Sequence, residues 1–516
     1  MDQLPGTPAS LWVETSPPTA YPALDRDVSA DVAVLGGGIA GLTSALLIAR
    51  AGLSVVLVDA GKVGRGVSGY STAKVTSLHS LTYADLVSSR GEDHACVYGE
   101  ANEGGLATIA RLARELAIEC DFRRRPNFTY TESEDELDGV REEAQAAKDL
   151  GLPASFVQGD IGLPWEVKGA VRFEDQAEFH PCKYLVGLAQ GVRGAGGEIY
   201  EDTRAVDVLD GNPCTVRTED GRELKAGHVI VATHFPFLDR AGFFARMHPE
   251  RSYCLALRVR GSVPQGMYIS TQGHSLRSQP VPGGGELFLV GGESHKVGQA
   301  DEVDRVRALD SYARDRFEVD SVDYRWSTQD NIPLDSVPYV GKLAPFSKRV
   351  LVATGFRKWG FANATAAAII LADAVKGDEH PWAATFDSTR LGPASAAATF
   401  LKENVNVGRR FVQDRFKRGS AEEVAPGEGA IVRDGVRQAA VHRDKDGKLH
   451  ALSARCTHMG CIVEWNNAER SWDCPCHGSR FGTDGRVLQG PAVAALEPRE
   501  LQAPEPGEPG TGEGPR

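Results

Sequence analysis

The sequence holds no long apolar run. The stretch 32–35, the longest near its start, is far too short to cross a bilayer, so no integral membrane segment is expected. The first 30 residues carry acidic side chains and prolines, with no basic stretch followed by an apolar one; no export signal is expected, which favours a cytoplasmic location. Positive charge is in deficit: 57 Lys and Arg stand against 70 Asp and Glu, and the net charge of −13 argues against a nucleic-acid partner. Cysteine is sparse. Of nine, Cys96, Cys120, Cys182, Cys214 and Cys254 stand apart in the sequence, as buried free thiols do. The composition is 41% hydrophobic and 25% charged, the balance of a globular protein, and 516 residues are too many for one ordinary core. Two or three domains are expected.

The remaining four cysteines fall in two short stretches, Cys456-Thr457-His458-Met459-Gly460-Cys461 and Cys474-Pro475-Cys476-His477-Gly478-Ser479. A cluster of two irons and two sulfides needs four protein ligands, and one variety takes two thiolates on one iron and two imidazoles on the other. Cys456 and His458 from one loop, with Cys474 and His477 from the other, supply that set. If the loops meet there, Cys461 and Cys476 come close, and a disulfide between them would pin the loops together. Such a bond is uncommon in the cytoplasm, so the two expectations are in tension. A zinc site could use the same residue types, but it would not need the two further cysteines or Gly478-Ser479.

The stretch 428–496 resembles the Rieske domain, and most of all the subclass found in cytochrome bc complexes; Gly490-Pro491-Ala492 is similar to that family's proline loop. The resemblance implies one [2Fe-2S] cluster on Cys456, His458, Cys474 and His477. In that subclass a serine and a tyrosine hydrogen-bond the cluster sulfur and a ligand thiolate. Ser479 matches the serine, but Phe481 stands where the tyrosine is expected. A missing donor leaves the oxidised cluster relatively favoured, so a potential below that of the high-potential members is expected.

Nearer the start, a strand over 31–35 runs into Gly36-Gly37-Gly38-Ile39-Ala40-Gly41, a helix over 42–51 and a second strand over 54–58 that ends at Asp59. This is a βαβ unit with the G-x-G-x-x-G fingerprint at its first turn. Gly36 permits the turn, Gly38 lets a pyrophosphate approach, Gly41 lets helix and strand pack, and Asp59 is placed for ribose hydroxyls. Only one complete fingerprint is present, which counts against a second nucleotide site for NAD(P)H.

Gly64-Arg65-Gly66-Val67-Ser68-Gly69 and Tyr70-Ser71-Thr72-Ala73-Lys74-Val75 resemble the segment after the second strand of D-amino-acid-oxidase-like flavoproteins, the family of glycine and sarcosine oxidases. So do the strands around Ala205-Val206-Asp207-Val208 and 228–233, and the strand, loop and helix over 350–375. The resemblance covers about 31–390 and implies FAD. Matched onto this sequence, the family's cofactor-lining positions are Gly36, Gly38, Ile39, Ala40, Gly41, Asp59, Ala60, Ser68, Thr72, Ala73, Lys74, Val206, Ala232, Thr233, Gly355, Lys358, Trp359, Gly360 and Phe361. The chain departs from the pattern at Asp59, where Glu is commoner, and at Arg357-Lys358-Trp359, in a loop usually richer in Gly and His. That loop has no cysteine, so covalent flavin attachment there is excluded. Lys74 and Lys358 are the only catalytic candidates, as cations beside the flavin; ordinary solvated lysines are the alternative.

The fold class expected is α/β, a Rossmann-like FAD-binding domain with an interleaved α+β substrate domain, plus a small all-β Rieske domain. Its parts are an irregular arm over 1–30, the flavoprotein over 31–390, a linker with an amphipathic helix over 391–427, the Rieske domain over 428–503 and a disordered tail over 504–516. Helices are expected over 93–116 and 134–150 and strands over 252–259 and 287–290, with Tyr253, Arg258, His295 and Tyr339 as candidate pocket residues. No acid–base constellation stands out, which fits a reaction in which positioning and a cofactor do most of the work. The pair of cofactors points to an oxidoreductase that takes electrons from a small amine, amino acid or hydroxy acid to FAD, then to the cluster, then to an external protein or quinone. A reductase or redox sensor with electrons entering through the cluster, and an oxidase that uses oxygen directly, are the alternatives.

Overall fold

The computed structural model describes residues 4–238, 240–390, 419–434 and 437–501. The helix expected over 400–418 and the tail over 504–516 lie outside the described residues. The chain divides into two compact units, Met1–Asn406 and Val407–Arg516.

The first unit is built on two sheets. In the smaller, Tyr339–Lys342, Val350–Thr354, Glu223–Val231, Val28–Leu35, Val55–Val58 and Glu198–Tyr200 lie side by side, with Cys214–Thr218 and Ala205–Leu209 folded off Glu223–Val231. Its four central strands are parallel and end in unbroken buried runs such as Val32, Ala33, Val34 and Leu35. Both faces are therefore covered, as parallel sheets require. The helices Ile39–Arg50 and Gly360–Lys376 pack against each other over this sheet, and Glu92–Glu115 packs on the second of them. That last contact runs through Gly105, where a Cβ would collide with the Ala362 carbonyl.

The larger sheet has ten strands, and its longest pairings set Met247–Val259 between Val319–Pro333 and Glu286–Lys296. The strands expected over 252–259 and 287–290 are longer than their apolar runs, because polar residues continue the alternation at both ends. The helix expected over 134–150 begins as a 3-10 turn, Glu134–Glu136, and becomes α-helical at Leu137–Asp149.

The arm is irregular over 15–27, as expected, but not throughout. Thr7–Pro8 adds a short parallel strand to the edge of Val319–Pro333, and the turn of helix Leu11–Glu14 buries Leu11 and Trp12 completely. The first strand of the smaller sheet also starts inside the arm, at Val28. Trp12 has tertiary partners that the prolines of the arm do not announce: its indole N–H donates to the Ser71 carbonyl at 2.7 Å and its ring meets Trp326 edge-on at 6.4 Å.

One buried cation ties these parts together. Arg277 donates to the Ala73 carbonyl at 2.7 Å and to the Phe179 carbonyl at 3.2 Å, pairs with Glu178 at 3.2 Å, and lies 5.3 Å from the Trp12 ring. Arg123 also holds Glu178, at 2.6 Å.

The second unit is all β. One sheet is Gly429–Asp434, Arg437–Arg443 and Leu449–Ser453; the other is Glu464–Asn466, Ser471–Asp473, Arg480–Phe481 and Val487–Gln489. Trp472 and Phe481 are fully buried in its core beside Cys456 and Cys474.

Replacing Arg277 by Met would leave the Ala73 and Phe179 carbonyls short of a donor and Glu178 short of a cation. A loss of about 3–5 kcal/mol in chemical unfolding is expected, against near-neutral effects for Arg→Met at exposed Arg258.

Candidate cofactor and substrate sites

The glycine turn is shaped by backbone contacts that leave no space for side chains. Gly36 has φ +111°, and a Cβ there would collide with the Ala232 carbonyl; at Gly41 it would collide with the Gly36 carbonyl. At Gly38, the N-cap of Ile39–Arg50, a Cβ would meet only the Ser68 hydroxyl, at 3.2 Å. Ser68 also accepts from the Ile39 N–H, at 3.3 Å. The helix amides around Ala40 thus begin over a floor without side chains, which fits a pyrophosphate. Asp59, half-buried, accepts from the amides of Gly37 at 2.6 Å and Gly61 at 2.8 Å. Burial pushes its carboxyl up, against those hydrogen bonds. It braces the turn and keeps outer lone pairs for a ribose, with Ala60 exposed beside it.

Around this cradle stand the other matched segments. The ladder between Ala205–Leu209 and Cys214–Thr218 pairs Ala205 and Asp207 but skips Val206, a bulge that sets the Val206 backbone apart from the ladder. The Ala232 amide donates to the Leu35 carbonyl at 2.9 Å, and the Thr233 hydroxyl to the Phe235 carbonyl at 3.0 Å. Ala73 is left-handed at φ +57°, and Thr72 faces Gly291 of the larger sheet. The 355–361 loop is strained, with φ of +75° at Gly355, +51° at Arg357 and +68° at Lys358, the last two rare for residues with a Cβ. Trp359 stacks on His79 at 4.7 Å, the helix starts at Gly360, and Phe361 turns its ring into the core against Phe179, so only its backbone can reach a cofactor.

Both lysine candidates bond the larger sheet, Lys74 buried and Lys358 exposed. Lys74 is buried and donates to the Ser275 hydroxyl; burial, with help from Arg277, pushes it down to about 7. Lys358 donates to Ser294 at 2.7 Å and pairs with Glu250 at 3.0 Å, while its backbone N–H bonds Asp330. Burial pushes Asp330 up to about 6. Burial also acts to raise Glu250, but bonds from His248 and Lys358 hold it down to about 2. Glu250, Asp330 and Ser294 escape a sequence reading; the only signal is polar residues alternating along otherwise apolar strands.

The four expected pocket residues are dispersed. Arg258 is half-exposed and pairs with Asp323 at 2.9 Å. Tyr339 is buried between the guanidinium groups of Arg246 and Arg390, each 4.1 Å from its ring. Tyr253 bonds His295 at 3.0 Å and belongs to a core with Leu255 and Leu309, on the strand face opposite Cys254. Of the isolated cysteines, Cys96 is only half-buried.

In the second unit two loops face each other. Cys456, Cys474 and His477 are buried and His458 is half-exposed; the two imidazoles lie 5.0 Å apart at 87°. A hydrogen bond from the Cys474 thiol, with others from the His458 amide and Ser479, pulls Cys456 below the usual thiol range. The two sulfurs therefore sit side by side. Cys461 and Cys476 are joined by a disulfide, Cα to Cα 6.6 Å. The Cys474 sulfur lies within 4.8 Å of both bonded sulfurs, but disulfide sulfur has no thiolate to give, so the donor set is Cys456, Cys474 and the imidazoles. Two sulfur and two nitrogen donors fit a [2Fe-2S] cluster of the mixed kind. Backbone bonds from Gly460 to Cys456 and from Gly478 to Cys474, both 2.9 Å, close each loop. The Ser479 hydroxyl accepts from the Ala492 amide at 3.0 Å, tying in the third loop.

Residues 31–374 match the family FAD dependent oxidoreductase, and residues 414–500 match the Rieske [2Fe-2S] domain. The chain is 35% identical over 499 residues to the Bacillus subtilis (strain 168) protein YhfW, named as a Rieske 2Fe-2S iron-sulfur protein, covering 96% of this chain and 98% of that one. It is 24% identical to the gamma-glutamylputrescine oxidoreductase of Escherichia coli (strain K12), over 69% of this chain and 86% of the relative. Glycine oxidase from Geobacillus kaustophilus has a similar fold, with a TM-score of 0.59 and 20% identity over 70% of this chain and 99% of that one. No described helix is long and apolar enough to cross a membrane.

Gly41→Ala is expected to cost about 3 kcal/mol or more and to lower the FAD content of purified protein, read from the flavin absorbance. Phe481→Tyr is expected to raise the cluster potential by about 40 mV, the one-electron equivalent of a hydrogen bond worth ~1 kcal/mol. An unchanged potential on titration would show that the added hydroxyl does not reach the cluster.

Proposed function

Because the chain belongs to the FAD dependent oxidoreductase family and carries a Rieske [2Fe-2S] domain, we propose that it is a dehydrogenase of a small amine, amino acid or hydroxy acid whose electrons leave through the cluster. One observation carries the reading: a glycine cradle that admits a dinucleotide and a pair of loops bearing Cys456, His458, Cys474 and His477 occur on one chain, with the two imidazoles 5.0 Å apart. FAD supplies a two-electron acceptor when bound, and the cluster a one-electron carrier. The gamma-glutamylputrescine oxidoreductase is named for an amine-bearing substrate, which supports the amine or amino acid branch.

The protein's own residues then have separate tasks. Gly36, Gly38 and Gly41 admit the dinucleotide, Asp59 accepts from its ribose, and the amides after Gly355 cover its far end. Cys456, His458, Cys474 and His477 hold the cluster, and the Cys461–Cys476 bond keeps their loops together. Half-exposed His458 and exposed Met459 mark the side from which an external acceptor, a protein or a quinone, is reached.

The test is an anaerobic titration followed by absorbance and electron paramagnetic resonance. Amines, amino acids and hydroxy acids are offered in turn, with dithionite as the control. A metabolite that bleaches the flavin should then bring up the reduced-cluster signal, and Cys456→Ser should keep the bleaching and lose the signal. If only dithionite or a reduced carrier produces the signal, electrons enter at the cluster and the dehydrogenase reading is wrong.

A further inference from the structure

The large sheet presents a polar strip to the segments that line the cofactor cradle. Three cross-strand rows are in register. Trp326, Cys254, Gly291 and Ser275 form the first. It faces the segment after the second strand: the Trp326 indole donates to the Tyr70 carbonyl at 2.8 Å, and Lys74 donates to Ser275. Thr328 and Ser252 form the second row, where Ser252 and Ser294 share a hydrogen bond of 2.8 Å and the Thr328 hydroxyl has no partner. Asp330 and Glu250 form the third, against Lys358 of the 355–361 loop.

The two ends of the strip differ in charge. At the first row Lys74 faces Arg277, whose partner Glu178 is shared with Arg123, and the neutral side chains Cys254 and Ser275. Positive charge is in excess there. At the third row the carboxylates of Asp330 and Glu250 face a single lysine, Lys358, with His248 at 3.3 Å from Glu250. Negative charge is in excess there. Four residues of strand separate the rows, about 13 Å.

We propose that this strip is the substrate wall and that it takes an extended dipolar substrate, with its ammonium group toward Asp330 and Glu250 and its carboxylate, several carbons away, toward Lys74. An α-amino acid, with both charges on one carbon, reaches only one end. Opposite charges at the two ends also fix which way round the molecule lies, and the hydroxyl row between them can bond a polar group in the chain. The pH dependence has a definite sign at each end. Burial and Arg277 bring Lys74 down to about 7, so carboxylate binding weakens as pH rises past that value. Burial brings Asp330 up to about 6, so ammonium binding weakens as pH falls past that value.

The inference rests on the dehydrogenase reading for the purpose of the site, but its test reads binding and not turnover. The FAD- and cluster-loaded protein is titrated anaerobically with 6-aminohexanoate, hexanoate, hexylamine and alanine, following the perturbation of the oxidised flavin spectrum. 6-Aminohexanoate should bind about tenfold or more tighter than each of the other three, a difference of about 1.4 kcal/mol. Lys74→Met should bring it down to the level of hexylamine, Lys74→Arg should restore it, and Asp330→Asn should bring it down to the level of hexanoate. Flavin and cluster absorbance report whether each variant has folded. The proposal is overturned if alanine binds as tightly as 6-aminohexanoate, if no probe perturbs the flavin, or if both loaded variants bind the long probe unchanged. A metabolite that reduces the flavin equally in wild type and strip variants would leave the dehydrogenase standing and the strip without a role. Probe binding with the expected residue dependence, but no reduction by any metabolite, would do the opposite.

Discussion

Arg277 is the point on which the flavoprotein unit depends. Its guanidinium is buried, yet each edge is engaged: the Ala73 and Phe179 carbonyls, the Glu178 carboxylate and, across the plane, the Trp12 ring. These four groups belong to the cofactor-lining segment, the loop after Gly169–Glu178, the end of that strand and the arm. A cation in such a place is costly to desolvate, and its stability lies in the completeness of its partners. Because it bonds the backbone beside Lys74, it also sets where that lysine stands. The segment after the second strand is therefore positioned by the larger sheet as much as by its own strand.

The two redox sites are built on different principles. The dinucleotide cradle is made of absence: Gly36 and Gly41 are defined by carbonyls that a single Cβ would strike, and the binding surface is backbone. The cluster site is made of side chains, brought together by two short loops that hydrogen bonds close and one disulfide joins. The first fixes shape and leaves chemistry to what it binds. The second fixes the donor atoms themselves, so its chemistry is written in residue identity.

That contrast explains what was legible in the sequence. The glycine spacing and the Cys/His spacing are local patterns, the first within six residues of chain and the second within 22, and a turn or a ligand pair needs no distant information. The parallel strands were legible as apolar runs. The Glu250 and Asp330 pair was not, since it exists only through the register of Met247–Val259 against Val319–Pro333. The arm misled for the same reason: prolines at 17, 18 and 22 are local, while the partners of Trp12 are at Ser71, His180 and Trp326. Arg258 and Tyr339 look like pocket residues by type, but strand alternation and a pair of flanking arginines decide their surroundings, and neither can be read from composition. The bulge at Val206 is a one-residue event in a ladder that no periodicity marks.

The arm also imposes an order in time. Arg325 donates to the carbonyls of Leu4 and Pro5, at 3.2 and 3.0 Å, across sequence separations of 321 and 320 residues. During synthesis the arm therefore has nowhere to dock until the Val319–Pro333 strand has been made and paired. At about 5–20 residues per second that is a wait of some tens of seconds, during which Leu11 and Trp12 are exposed. Closing so long a loop makes the arm a late addition to the larger sheet rather than its nucleus.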